Sequence, residues 1–365
     1  MRALADRLAA RTLELVDIPS ESGDEARIRE RLLELVPPSL ALEYRSDDAA
    51  FFVPARRTDA PLVTLVGHYD TVPAQGNLPG RIADGRVHGL GASDMKGGLA
   101  VALELVRDLA EVPHGRADVA LLLFGKEELP YEHDPLPELF ARSRAIHETA
   151  LAIVLEPTAG RIQAGCLGNL IARLVFHGRS GHSARPWLAD SALARAVEGI
   201  RPLLAHPSRE VVVEGLTFVE VLAVTRLQAG IADNVIPGEA SATVNFRYAP
   251  NRSPTEAEAA LRALLPDGVE VEVASHAPAG RVTVASPLVL ALRAAAGLAE
   301  VEPKQAWTNV ADFTAHGIDA VNFGPGDPAF AHRRDEQVEV AALVRCYEVL
   351  RELVTASAPI GEDGG

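Results

Sequence analysis

The sequence predicts an α/β protein: a mostly parallel sheet covered by helices, with a smaller unit of strands and helices inserted into it. Three observations lead there. Four apolar runs, PLVTLV (61–66), VALLLF (119–124), ALAIVL (150–155) and DAVNF (319–323), have strand length and lack polar alternation, as parallel strands covered on both faces require. Between the first two lies MKGGLAVALELVRDLAEV (95–112), a good helix, which gives the alternation of an α/β chain. From about residue 170 to 283 the rhythm changes to β-α-β-β-α-β, the ferredoxin-like order. The chain therefore divides into a discontinuous domain, 1–169 and 284–365, and an inserted domain, 170–283.

Taken in order, MRALADRLAARTLELVDIPS opens the chain as an amphipathic helix rather than a secretion signal. Within the inserted part, NLIARLVFHG reads as a strand, DSALARAVEGIRPLLA as a helix, and FVEVLAVTRLQ and NVIPGEASATVNFRYA as strands. TEAEAALRALL is its second helix and VEVEVAS its closing strand. Ser253, Pro254 and Glu256 give that second helix a capping-box start with proline at its first position. The larger domain resumes near Ser286 with SPLVLALRAAAGL, and the tail after Ala356, SAPIGEDGG, reads as disordered.

Bulk composition narrows the function classes. At 365 residues two domains are the natural expectation, and 48% hydrophobic with 23% charged residues is ordinary for a folded chain. No apolar stretch is long enough for a membrane span. A formal net charge of −15 argues against nucleic acid as a partner, because phosphate binding needs a clustered basic surface. Cys166 and Cys346 are the only cysteines, too few for a disulfide framework and without metal-ligand spacing, which is consistent with the cytoplasm.

The residues just beyond each apolar run carry the chemistry. His68 and Asp70 come after the first in GHYDTVP, Glu127 and Glu128 after the second in GKEE, and Glu156 after the third in LEPT; a loop after the fourth leads to His332. Asp94, in GASDMKGG, precedes a helix and by itself would pass as a cap. Ligand sites of open parallel sheets lie outside the carboxyl ends of the strands, so these groups converge on one crevice. Two adjacent glutamates at the end of a core strand repel each other and lose solvation unless a cationic or protonating group is near. Imidazole and carboxylate without thiolate suit zinc, manganese or cobalt at a hydrolytic site, and several carboxylates for two histidines suggest more than one ion. In an extended His-x-Asp segment, Asp70 can accept a hydrogen bond from the far nitrogen of a metal-bound His68. Spacing alone leaves open which of Glu127 and Glu128 binds metal and which serves as base.

GHYDTVP, GASDMKGG, KEE, LEPT, GHSARP and AHRRDE, in that order and spacing, resemble the M20 family of dinuclear metallohydrolases. The resemblance covers nearly the whole chain, including the inserted part, which in that family is a lid and dimerisation domain. Within the family, AGCLGNL, GRSGHSARPWLAD, WTNVADFTAHGIDAVNFGPGDP and AHRRDE are similar to succinyl-diaminopimelate desuccinylases of the actinobacterial type. Two departures stand out. Gly165, Cys166 and Leu167 occupy the place of an arginine pair in the enterobacterial type, and LPYEHDPLPELF lacks the small residues common after the glutamate pair.

The resemblance implies a set of roles. His68 and Glu156 would hold one divalent ion, Glu128 and His332 the other, and Asp94 would bridge them; the ions would be Zn²⁺, with Co²⁺ or Mn²⁺ as alternatives. Asp70 would orient His68, and Glu127 would be the general base. His182 of GHSA would reach across a homodimer interface in the lid to stabilise an oxyanion. Asn234 in ADNVIP and Arg247 in NFRY match substrate-binding lid positions, Arg185 could join Arg247 in pairing with substrate carboxylates, and Gly324, with Thr308 nearby, matches the lining of the substrate cavity. The substrate would be an N-acyl amino acid, first N-succinyl-LL-2,6-diaminopimelate on the way to lysine and cell wall. The alternatives are an acetylornithine deacetylase, a dipeptidase and, more remotely, a non-catalytic binding protein.

Overall fold

Residues 62–68, 118–124, 149–154 and 319–322 are apolar on both sides, and each becomes a strand buried along most of its length. A computed structural model describes residues 2–55, 60–111 and 115–356 of the chain; the tail after Ala356 lies outside the described residues. The chain divides into two units, one of residues 1–165, 283–302 and 308–365, the other of 166–282 and 303–307. The second unit therefore begins four residues before the boundary expected from the sequence, ends one residue before it, and takes in a return segment, 303–307, that sequence pattern did not separate.

The larger unit is built on an eight-stranded sheet. Its centre runs Asp118–Phe124, Leu62–His68, Thr149–Val154, Asp319–Asn322, all parallel. Its edges are antiparallel: Leu40–Arg45 pairs with Ala49–Pro54, which pairs with Asp118–Phe124, while Gln163–Ala164 runs against Asp319–Asn322. One face of the sheet, including Val66, Leu122, Phe124 and Val154, packs against Leu136, Phe140, Val310 and Phe313 from two short helices, Leu136–Arg142 and Val310–Ala315. Helix Gly97–Leu109 packs on the sheet and on helices Arg2–Val16 and Val340–Thr355. Gly98 permits that close approach, because a Cβ there would meet the Leu155 carbonyl oxygen at 2.6 Å. Helix and strand layers of this kind leave the carboxyl ends of the parallel strands open at one edge. Among the described residues, no helix is long and apolar enough to cross a membrane.

The second unit is a five-stranded sheet in the order Arg209–Val213, Leu216–Ala229, Glu239–Tyr248, Gly168–His177, Glu270–Ala277, antiparallel throughout. Helices Ala192–Leu204 and Pro254–Arg262 share one core with it, through Ala196, Ile200, Ala257 and Leu261. The Ser253–Glu256 capping box is formed in both directions. Edge strand Arg209–Val213 was not expected. The strand expected over 234–249 is broken: Pro237 and Gly238 separate Val235–Ile236, which pairs with Gly181–His182, from Glu239–Tyr248. Proline cannot donate to a ladder, so the break falls there.

Candidate metal centre

Strand Leu62–His68 ends on its imidazole, and the next turn brings Asp70 back under it. His68 is fully buried. Its Nδ1 lies 3.2 Å from the Asp70 carbonyl oxygen and 3.4 Å from Asp70 Oδ1. Its Nε2 faces away from Asp70, 3.2 Å from Asp94 Oδ1 and 3.6 Å from Glu156 Oε1. Asp70 also organises the glutamate pair: the Glu127 and Glu128 amides donate to its two carboxylate oxygens at 3.1 Å each, and the Ser22 hydroxyl donates to Oδ2 at 2.6 Å. One buried carboxylate thus sets both the histidine and the turn after the second strand.

The opposite side is closed by His332. Its Nε2 lies 2.9 Å from Glu128 Oε1 and 3.5 Å from Asp94 Oδ2. Asp94 is therefore addressed by two imidazoles, one on each oxygen. The segment that carries it, Ala92–Lys96, has a cis peptide between Asp94 and Met95. Glu336 holds that segment: it is 2% exposed and accepts from the amides of Gly91 at 2.8 Å and of Ser93 and Asp94 at 3.0 Å each. Lys126 and His332, which flank the cluster, adopt positive φ of 65° and 60°, a conformation costing a side-chain-bearing residue about 1–3 kcal/mol. An ion pair from Lys126 Nζ to Asp48 Oδ2 at 2.7 Å secures one of these turns.

Electrostatically the cluster is built for cations. Burial works against a charge on His68, but hydrogen bonds to Asp70 and Asp94 outweigh it and hold its proton affinity well above the usual imidazole range. Hydrogen bonds to Asp94 and Glu128 push His332 up to about 10. Asp94 moves the other way: burial is overridden by the two imidazoles, and it stays well below the ordinary carboxylate range. Burial, together with the charges of Glu156, Glu128 and Asp94, raises Glu127 well above its usual range despite the nearby His68. These directions follow from two imidazoles set among four carboxylates at close range. His68, Asp94 and Glu128 offer ligand atoms all within 4.8 Å of one another, and a nitrogen and oxygen donor set without thiolate fits zinc-type divalent ions.

The seven residues expected at the strand ends, His68, Asp70, Asp94, Glu127, Glu128, Glu156 and His332, all belong to the larger unit. Thr308 and Gly324 do so as well. Thr308 is buried. Gly324 has a packing role visible here: a Cβ would meet the carbonyl oxygens of Leu155 and Glu156 at 2.3 and 2.4 Å, and its amide and carbonyl both bond the Thr158 hydroxyl. It seats the backbone that presents Glu156. The remaining candidates lie in the second unit. His182 and Asn234 share the Gly181–His182/Val235–Ile236 ribbon, with the Ser183 amide bonded to the Asn234 carbonyl at 2.9 Å. His182 is exposed, and Arg185 lies in the same turn, its amide donating to the His182 carbonyl at 2.9 Å. Arg247 sits on Glu239–Tyr248 opposite Asn169, where burial lowers its proton affinity. Sequence reasoning missed Ser22, Lys96 and Glu336. The latter two stand in the motifs DMKGG and AHRRDE; Lys96 Nζ, buried, donates to the Ile18 carbonyl at 2.9 Å.

A parallel sheet whose strand ends gather two imidazoles and several carboxylates around one shared aspartate defines a metal-dependent hydrolase. The chain belongs to peptidase family M20/M25/M40, whose sequence profile matches residues 64–356. It is 39% identical over 343 residues to a Mycobacterium tuberculosis protein provisionally named succinyl-diaminopimelate desuccinylase, covering 93% of this chain and 96% of that one. It is 36% identical over 360 residues to the succinyl-diaminopimelate desuccinylase of Corynebacterium glutamicum, covering 94% and 95%. Among solved structures, the aminopeptidase PepT of Bacillus cereus shares the fold with a TM-score of 0.77 at 20% identity, over 96% of this chain and 98% of that one.

Proposed function

We propose that this chain hydrolyses the amide bond of N-succinyl-LL-2,6-diaminopimelate to succinate and LL-2,6-diaminopimelate, in the cytoplasm. The observation that carries the chemistry is the half-buried Glu127, its amide bonded to Asp70, beside a cluster in which Asp94 meets both His68 and His332. The substrate rests on similarity to the two actinobacterial proteins over nearly their whole length.

In this reading His68 and Glu156 would hold one divalent ion and Glu128 and His332 another, with Asp94 available to both. Zinc is the first candidate, cobalt or manganese the alternatives. Such ions would supply Lewis acidity toward the scissile carbonyl and would lower the pKa of the attacking water. The chain's own groups do the rest. Glu127 takes a proton from the attacking water and passes it to the leaving amine nitrogen as the carbon–nitrogen bond breaks. Asp70 keeps His68 oriented through Nδ1. Arg247 and Arg185 pair with substrate carboxylates, for which a guanidinium fork is suited, and Asn234, Thr308 and Gly324 border the substrate. His182 donates to the oxyanion from the partner chain of a homodimer formed through the second unit.

Two experiments test this. Purified protein offered succinyl-diaminopimelate, acetylornithine, acetyl-lysine and simple dipeptides is expected to cleave only the first, and to stop with chelator. Preferential cleavage of another compound would replace the substrate, and chelator-insensitive cleavage would remove the metal chemistry. For the shared site, His182→Ala chains mixed with Glu127→Gln chains are expected to regain up to about a quarter of wild-type turnover, since random pairing makes half the dimers mixed and each holds one intact site. No recovery in demonstrably mixed dimers would exclude a partner's histidine.

A further inference from the structure

The segment after the glutamate pair is fastened by side chains that the hydrolytic chemistry does not use. The Tyr131 hydroxyl donates to Asp312 Oδ1 at 2.7 Å. Asn309 Nδ2 donates to Asp312 Oδ2 at 3.1 Å and to Asp134 Oδ2 at 2.5 Å, so one amide spans two carboxylates. Asp134 Oδ1 in turn accepts from the Leu136 amide at 2.8 Å. Asn309 is fully buried and Asp312 3% exposed. The anchor side is stiff: His316 Nδ1 meets the Asp312 carbonyl oxygen at 2.8 Å, and the His316 ring stacks on Phe140 at 4.1 Å with 4° between planes.

Two acidic groups placed this close are costly to bury, and apolar packing would hold a loop more cheaply. Burial pushes Asp312 up to about 6, against the hydrogen bonds from Tyr131 and Asn309, and burial with the Asp312 charge raises Asp134 well above the usual range. What the polar clasp adds is direction, because hydrogen bonds constrain angle as well as distance. Tyr131 lies three residues beyond Glu128 and four beyond Glu127, on the stretch where the sequence departs from the usual small residues. The Asp70 bonds fix the start of this stretch; the Asp312 clasp fixes its far end.

We propose that Asp312, acting through Tyr131 and Asn309, is a positioning residue that immobilises the 127–134 segment and thereby aims the Glu127 carboxylate. Its kinetic consequence rests on the reading of Glu127 as general base; the immobilisation does not.

The test compares Tyr131→Phe, Asp312→Asn and Asp312→Ala in metal-loaded protein. Tyr131→Phe is expected to speed amide hydrogen exchange in the peptide covering 127–134 by about tenfold, the loss of one net hydrogen bond, and to lower kcat by a similar factor with KM and metal content unchanged. Asp312→Asn keeps one acceptor oxygen for Tyr131 but turns its NH2 toward Asn309 Nδ2, so it is expected to fall between wild type and Asp312→Ala, which loses both bonds and should exceed Tyr131→Phe in exchange rate and in loss of kcat. Unchanged exchange in Tyr131→Phe overturns the proposal whatever the substrate proves to be. Faster exchange with unchanged kcat overturns the aiming role. Adding Tyr131→Phe to Glu127→Gln separates the two readings. No further loss of turnover supports action through Glu127, and a full second tenfold loss excludes it, while a fully active Glu127→Gln would fell the base assignment and leave the exchange result standing.

Discussion

Glu127→Gln is expected to lower turnover of succinyl-diaminopimelate on the order of 10³- to 10⁴-fold, the upper part of what a positioned general base supplies, with metal content unchanged. Glutamine keeps the volume and one acceptor oxygen of the side chain but cannot take up a proton near neutral pH. The residue's backbone is held independently of its carboxylate, since the amides of Glu127 and Glu128 bond to Asp70, so the substitution leaves the turn in place. Elemental analysis beside steady-state kinetics checks both halves. Near-normal turnover with full metal would remove Glu127 from the chemistry and return the base role to Glu128 or to another group.

Asp94→Ala is expected to remove most of the metal and, with it, the turnover. Asp94 places one oxygen 3.2 Å from His68 Nε2 and the other 3.5 Å from His332 Nε2, and so ties the two halves of the cluster together. Loss of groups that merely support a metal ligand costs about 10- to 100-fold in affinity, so if Asp94 is the ligand common to both sites, as proposed, its loss should exceed about 100-fold. Asp94→Asn retains the shape with less charge and should fall between wild type and alanine. Metal retained at the wild-type ratio in a folded Asp94→Ala protein, judged by competition with a chelator, would show that the two halves bind independently.

Much of this site was legible because it sits at the ends of apolar runs. His68, Glu127, Glu128 and Glu156 each lie at the end of a strand that the absence of alternation reveals, and a parallel sheet collects strand ends at one edge. The division of labour proposed for Glu127 and Glu128 was not legible from pattern, since both leave the same strand; it rests on likeness to a family. Asp94 looked like a helix cap because its turn depends on Glu336, some 240 residues away in sequence, accepting three amides. The Tyr131–Asp312 clasp escaped for the same reason: nothing in LPYEHD or NVADF alone says that their polar groups meet. Strand Arg209–Val213 was missed because its burial pattern is mostly exposed, which removes the apolar signal that edge strands lack in general.

Glu336 has one more implication, for the order in which the protein acquires its chemistry. A chain synthesised only as far as residue 331 already contains Asp94, both glutamates and His68, yet lacks the carboxylate that shapes the Asp94 turn and the second imidazole. Ribosome-bound intermediates of that length hold every residue of the proposed first site but not His332 of the second, so complete loading waits for residues 332–336, which bring both the second imidazole and the carboxylate under the Asp94 turn.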